Sequence, residues 1–199
     1  MKFSNPRADV LVPDGVAPEE ALARTTHLCI ATHQDDTEIF AYHGIAACFG
    51  RKDRWFSNVT VTNGGGSARS GIYKDYTDEQ MQDIRRAEQR KAAVLGEYSI
   101  QIQLAHPSSV VKDKTRREVV DDLVKILNAA KPKTVYLHNP ADKHDTHVAV
   151  LIRSIEALRS LPDADLPENI YGCEVWRDLD WLMDSDKLPL PVSDYPNLS

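Results

Sequence analysis

The chain has 199 residues, 42% of them hydrophobic and 27% charged, with a net charge of −6. That supplies enough apolar material for one globular domain, and the acidic balance excludes nucleic acid as the main partner, because phosphate binding rests on clustered Lys and Arg. No apolar run is long enough for a secretion signal or a membrane span, and the scattered Cys29, Cys48 and Cys173 form neither a disulfide framework nor a metal knuckle, so a reducing, cytoplasmic setting is expected.

Strands and helices alternate along the chain. The first apolar run, 26–32 (THLCIAT), ends abruptly in His33, Asp35, Asp36 and Glu38. The second, 57–62 (SNVTVT), leads into NGGGSARSG at 63–71, and then into a helical pattern at 78–96 that opens on Thr77 and Gln80 at capping-box spacing and closes on Gly96. A third run at 98–104 is followed by a helix at 115–130, whose Thr115 and Glu118 also stand at capping-box spacing. A fourth at 133–138 leads into HNPADKHDTH and a helix at 144–160, in which His144, His147, Leu151, Ile155 and Leu158 share one face. The last run is 170–176, and the tail from 184 to 199, rich in Pro, Asp and Ser, reads as loop or linker. This alternation implies an α/β domain with a mostly parallel sheet and helices on both faces. In such sheets ligands bind beyond the carboxyl ends of the strands, where three of the polar clusters fall.

Desolvating four titratable groups after a core strand is costly, so the HQDDTE cluster needs a reason. Acids at a helix N-terminus would account for Asp35 and Asp36, but not for His33 beside them. His144 and His147 taken alone could be surface or capping residues. Taken together, imidazoles and carboxylate converging from two strand ends suit an open catalytic metal site, in which protein ligands leave one position for water. The glycine loop matches neither a dinucleotide fingerprint nor a P-loop nor a nucleophile elbow, and reads as a flexible border to the crevice. Arg85 and Glu88 fit a solvated pair as well as a substrate contact. Trp176 and Trp181 are expected in the core, and His27, His43 and His106 give no convergent signal.

His33-Gln34-Asp35-Asp36-Thr37-Glu38 resembles the H-P-D-D-x-E motif of the PIG-L/LmbE-like zinc de-N-acetylases, and His144-Asp145-Thr146-His147 resembles that family's H-P-D-H segment. The strand ending VTNGG and the helix RRAEQRKAAVLG are similar to the pattern between those motifs, so the resemblance spans roughly residues 26–176. Gln34 replaces the first Pro, and Asp145-Thr146 replaces Pro-Asp; neither change falls on a ligand position. The chain is short at its C-terminus for this family. The resemblance implies a single Rossmann-like deacetylase domain over 1–183, with 184–199 as its tail. It further implies that His33, Asp36 and His147 bind Zn2+, that Asp35 is the general base and that His144 stabilises the oxyanion. Glu38 and Asp142 would orient the ligands, and Arg85 would lie near the substrate.

On that basis the expected activity is removal of an acetyl group from an N-acetylglucosamine-type amide. The partner would be a small N-acetylated sugar or sugar conjugate, with no membrane partner. Similar N/O ligands also accept Fe(II), Co(II) or Mn(II). The sequence is open to either a monomer or a homo-oligomer. Two rivals remain: a non-catalytic metal- or sugar-binding module, which has little use for Asp35 as a base, and a metal-dependent esterase using the same site.

Overall fold

The computed structural model describes residues 1–193; the end of the expected tail, 194–199, lies outside the described residues. Among the described residues six strands form one sheet: β1 (Asp9–Leu11), β2 (His27–Ala31), β3 (Phe56–Thr62), β4 (Ile100–His106), β5 (Thr134–His138) and β6 (Asn169–Cys173). Their order is β1-β4-β3-β2-β5-β6, and only β1 runs antiparallel to its neighbour. Around the sheet lie α1 (Pro18–Ala23), α2 (Asp36–Phe40), α3 (Tyr42–Cys48), α4 (Asp78–Leu95), α5 (Ser108–Lys112), α6 (Glu118–Ala130) and α7 (Asp145–Leu158).

The inner parallel strands β2, β3, β4 and β5 are buried on both faces, and of these β2 and β5 carry the most continuous apolar runs. Along β2 the side chains alternate. Leu28 and Ile30 join Leu22, Leu123, Ile126, Val150 and Leu151 of α1, α6 and α7, whereas Cys29 and Ala31 join Phe40, Ile45 and Tyr98 on the other face. That second face becomes polar beneath α4. Asn58 donates to Gln101 Oε1 at 3.0 Å, Gln101 donates to Thr60 Oγ1 at 3.2 Å, and Gln89 of α4 lies 1% exposed among them. The few buried residues of α4 include two glutamines, Gln82 and Gln89. Two amide hydrogen bonds tie this helix to β4, Gln89 Nε2 to Gln101 Oε1 at 3.4 Å and Gln103 Nε2 to the Arg86 carbonyl at 3.1 Å.

The structure moves several expected boundaries. Helix α6 begins at Glu118, not at 115, because the Thr115 hydroxyl donates to Asp113 Oδ1 at 2.7 Å and Arg117 becomes the N-cap, with no side-chain bond. At α4 the expected capping box does form, with Thr77 N–H on Gln80 Oε1 at 2.8 Å and Gln80 N–H on Thr77 Oγ1 at 3.2 Å. Strand β4 is shifted towards its carboxyl end, and β6 is short and lies at the sheet edge. Trp176 and Trp181, expected in the core, are 56% and 71% exposed, because they follow that edge strand.

Candidate active site

Strand β2 pairs with β3 on one side and β5 on the other, so the chain changes direction across the sheet at β2. A crevice opens at such a reversal, beyond the carboxyl ends of the strands. Asp35 takes the sharp corner after β2 with φ of 87°, a left-handed conformation uncommon for a residue with a side chain. Its N–H is held by Gln89 Oε1 at 3.1 Å. The corner turns the Asp36 carboxylate back onto the chain, where Oδ2 accepts from His33 N–H at 2.7 Å. Burial would raise the pKa of Asp36, which is 2% exposed, but the imidazoles of His138 and His33 beside it outweigh burial and hold it far below the usual carboxylate range.

Three donor atoms meet here. His33 Nδ1 lies 3.1 Å from His147 Nε2, and each lies 3.5 Å from Asp36 Oδ2. Donors at 2.0–2.2 Å from a tetrahedral ion stand roughly 3.3–3.6 Å from one another, so this triangle has the size such an ion requires. The state of His147 fits as well. Its Nδ1 is 2.8 Å from Asp142 Oδ2, which leaves a lone pair on Nε2, the nitrogen facing the triangle. The same atoms belong to two overlapping groups able to hold a cation, His33–His144–His147 and Asp36–His138–His147. In the second, His138 Nε2 already accepts the Thr32 N–H at 3.1 Å, which occupies its lone pair and favours His33 over His138 as the ligand.

Asp142 is tied in from both sides: Oδ2 meets His147, and Oδ1 accepts the His144 N–H at 2.8 Å. Its carboxyl is held at about 2, because the His138 imidazole nearby and hydrogen bonds from the His144 backbone and His147 overcome a burial cost that acts in the opposite direction. His144 is the N-cap of α7, with Nδ1 accepting from Thr146 N–H at 3.2 Å. In the neutral imidazole the proton therefore sits on Nε2. The His144 ring stacks on His147, with centroids 4.5 Å apart.

Glu38 touches none of the three triangle residues. Its Oε1 accepts from Tyr98 Oη at 2.6 Å and from Gln89 Nε2 at 2.9 Å, so it reaches the motif only through Gln89 and the Asp35 N–H. Burial raises its pKa. Arg85 of α4 pairs with Asp35 Oδ2 at 2.9 Å and also donates to the Gln34 carbonyl. Gly64, with φ of +70°, is required beside it, because a Cβ there would sit 2.5 Å from Gln34 Oε1 and 3.2 Å from Arg85 Cβ.

All of this opens onto a cavity of about 760 Å³, lined by His33, Asp35, Asp36, His144 and His147, by Arg85 and the 63–68 loop, and by Trp176. The sequence clusters thus meet in one place. Sequence reasoning did not single out His138, which closes an apolar strand and looks like a core residue, or Gln89, whose partners are far away in sequence. The H-N-P-A-D run after β5 was the one signal for His138.

The fold has solved relatives. The N,N'-diacetylchitobiose deacetylase from Pyrococcus horikoshii superposes with a TM-score of 0.61 at 21% identity, covering 83% of this chain and 66% of that one. The 4-carboxy-2-hydroxymuconate hydratase from Pseudomonas putida KT2440 gives 0.58 at 18%, covering 68% and 56%. A deacetylase acting on the A40926 pseudoaglycone gives 0.56 at 18%, covering 83% and 70%. At these identities the likeness is one of fold, and the chain spans just under two thirds of the chitobiose enzyme. No curated protein matches the chain. The family described as PIG-L, GlcNAc-PI de-N-acetylase, matches residues 28–158, the stretch that carries every member of the His/Asp triangle. Matched over well over half of its length, the chain belongs to the PIG-L/LmbE-like de-N-acetylase family.

Proposed function

We propose that the protein is a metal-dependent hydrolase that removes the acetyl group from an N-acetylglucosamine-type amide, with zinc as the metal. The observation that carries this reading is the donor triangle of His33, Asp36 and His147, set in the wall of a cavity that also presents a carboxylate outside the triangle, Asp35. A cation held there would supply Lewis-acid activation of water and of the acetamide carbonyl.

The side chains divide the remaining tasks. Asp35 takes the proton from the attacking water, with its orientation fixed at the main chain by Gln89 and at Oδ2 by Arg85. His144 presents Nε2–H to the carbonyl oxygen as negative charge develops on it, because its Nδ1 is occupied by Thr146. Asp35 then returns its proton to the nitrogen as the C–N bond breaks, giving acetate and a free amine. Asp142 holds His147 in the tautomer that keeps Nε2 free.

The expected result for Asp35→Asn is a stoichiometric metal content with turnover lowered by about 10²–10⁴, the usual size of a lost general base. Acetate release from N-acetylglucosamine conjugates, read beside metal content and repeated after chelation, measures both. Loss of the metal together with activity would overturn this division of roles. An O-acetyl ester cleaved faster than the amide would favour an esterase.

A further inference from the structure

Strand β6 closes one side of the sheet and pairs only with β5. Asn169 N–H donates to the Lys133 carbonyl, so in this parallel ladder Asn169 and Tyr171 turn their backbone groups inward, and Ile170 and Gly172 turn theirs outward. Those outward N–H and C=O groups have no partner among the described residues. Such an edge is a template for another strand. We propose that β6 is the dimer seam of this protein: a second copy of the chain adds its own β6 antiparallel, about a two-fold axis at Tyr171, and the two sheets become one.

The register follows from the ladder. In an antiparallel pair, residues that face each other exchange either both hydrogen bonds or none. With the axis at Tyr171, Ile170 of one copy exchanges both bonds with Gly172 of the other, and symmetry repeats the exchange. Every outward group of the two residues is then satisfied, while Tyr171 stays bonded to β5. Gly172 also has no reason within the chain to be glycine. Its φ is not left-handed, and a Cβ there would meet Asn139 Cβ at 3.5 Å, an ordinary contact. Glycine inside a strand weakens it and often marks the close approach of another backbone.

The groove beside this edge is self-complementary. On the α7 face of the sheet, Ile155, Leu158, Leu161, Leu166 and Ile170 line a cavity of about 360 Å³. Ile155, Leu166 and Ile170 are 39%, 43% and 49% exposed, so the strip is apolar and open. Arg159 and Asp163 stand beside it, both exposed. Arg153 and Asp165 nearby are spent on Glu156 and Lys131, whereas Arg159 and Asp163 form no ion pair among the described residues. A patch that carries one free cation and one free anion along an apolar strip matches a two-fold copy of itself, cation to anion. A peptide of one charge sign would meet only one of the two.

Sedimentation equilibrium of the full chain is expected to give twice its mass of 22.3 kDa. Two substitutions test the seam without disturbing the ladder to β5. Ile170→Lys puts a charge at a half-exposed site, and Gly172→Pro deletes an outward N–H, which an edge strand tolerates. Each should weaken the dimer at least about tenfold, with the far-UV circular dichroism of the chain unchanged. Arg159→Asp should weaken it too, and adding Asp163→Arg should restore it. In hydrogen exchange, the Ile170 and Gly172 amides should be protected in wild type and fast in Ile170→Lys. A monomeric wild type, or a dimer that none of these substitutions loosens, overturns the seam. So does a monomer in which those two amides are protected, because another part of the chain then covers the edge.

Discussion

Replacing Gln89 with Leu tests how the Asp35 corner is held. The two side chains are similar in volume, and position 89 is 1% exposed, so the change mainly deletes hydrogen bonds. It strips the Asp35 N–H of its acceptor at 3.1 Å and Glu38 Oε1 of the amide donor at 2.9 Å, while Glu38 keeps Tyr98 at 2.6 Å. At about 1–3 kcal/mol for each group left unsatisfied, and with Glu38 only partly stripped, the expected loss is about 2–3 kcal/mol. That corresponds to roughly 5–10 °C in Tm for a domain of this size. The functional loss should exceed what stability explains. A left-handed corner costs about 1–3 kcal/mol to maintain, and once released it relaxes and carries the carboxylate away. Misplacement of a reacting group by about 1 Å can lower the rate about 10²-fold. None of the triangle residues touches Gln89, so metal content should be unchanged. Urea unfolding, acetate release well below the Tm and a metal assay on one preparation measure all three. Turnover within twofold of wild type would refute the argument, and so would loss of metal in parallel with activity.

Asp142→Ala removes the acceptor that fixes His147 Nδ1 and should weaken metal binding about 10–100-fold, as read by competition with a chromogenic chelator. Gly44→Ala places a methyl group 2.6 Å from Tyr136 Cε2 and 3.0 Å from Phe56 Cε2, so the urea midpoint should fall by the equivalent of about 1–3 kcal/mol. An unchanged midpoint would mean that the two rings can yield. Asp122 is held at about 2 in the folded chain: burial acts to raise it, but the His106 ring 3.6 Å away and hydrogen bonds from Ser4 and Lys125 prevail. An unfolded Asp titrates near about 3.9, so its contribution is complete above about pH 4 and is lost as the pH falls towards 2. The urea midpoint between pH 5 and 2 should therefore fall less steeply in Asp122→Asn than in wild type.

The parts of this fold legible in the sequence are those fixed by local pattern. The buried strands β2 and β5 gave nearly continuous apolar runs, and Thr77 with Gln80 announced the start of α4. Thr115 and Glu118 show the same spacing, but Asp113 captures the Thr115 hydroxyl, a competition that residue spacing does not reveal. Strand β1 has three residues and exists only through its antiparallel pairing with β4, so no periodicity marked it. The separated His and Asp clusters were visible because titratable residues after core strands stand out. The amides supporting them were not: Asp35, Gln89 and Gln101 meet only after the sheet has formed. Glu38 sits inside the motif, yet its partners are Gln89 and Tyr98, which are distant in sequence.

The polar seam under α4 also governs how the protein comes apart. Exposing apolar surface raises the heat capacity and exposing polar surface lowers it, so detaching this helix changes the heat capacity little. Because Met81, Gln82, Gln89 and Ala93 are its buried residues, its opening should expose little surface and respond weakly to urea. Such openings are the low-free-energy, sub-global kind seen in native-state hydrogen exchange. Amides of α4 should therefore exchange through a route nearly independent of denaturant, while those of β2 and β5 wait for global unfolding. Each opening also takes away the Asp35 clamp, so the residue assigned to proton transfer is disarmed while the His/Asp triangle, set at the end of β2 and the starts of α2 and α7, persists.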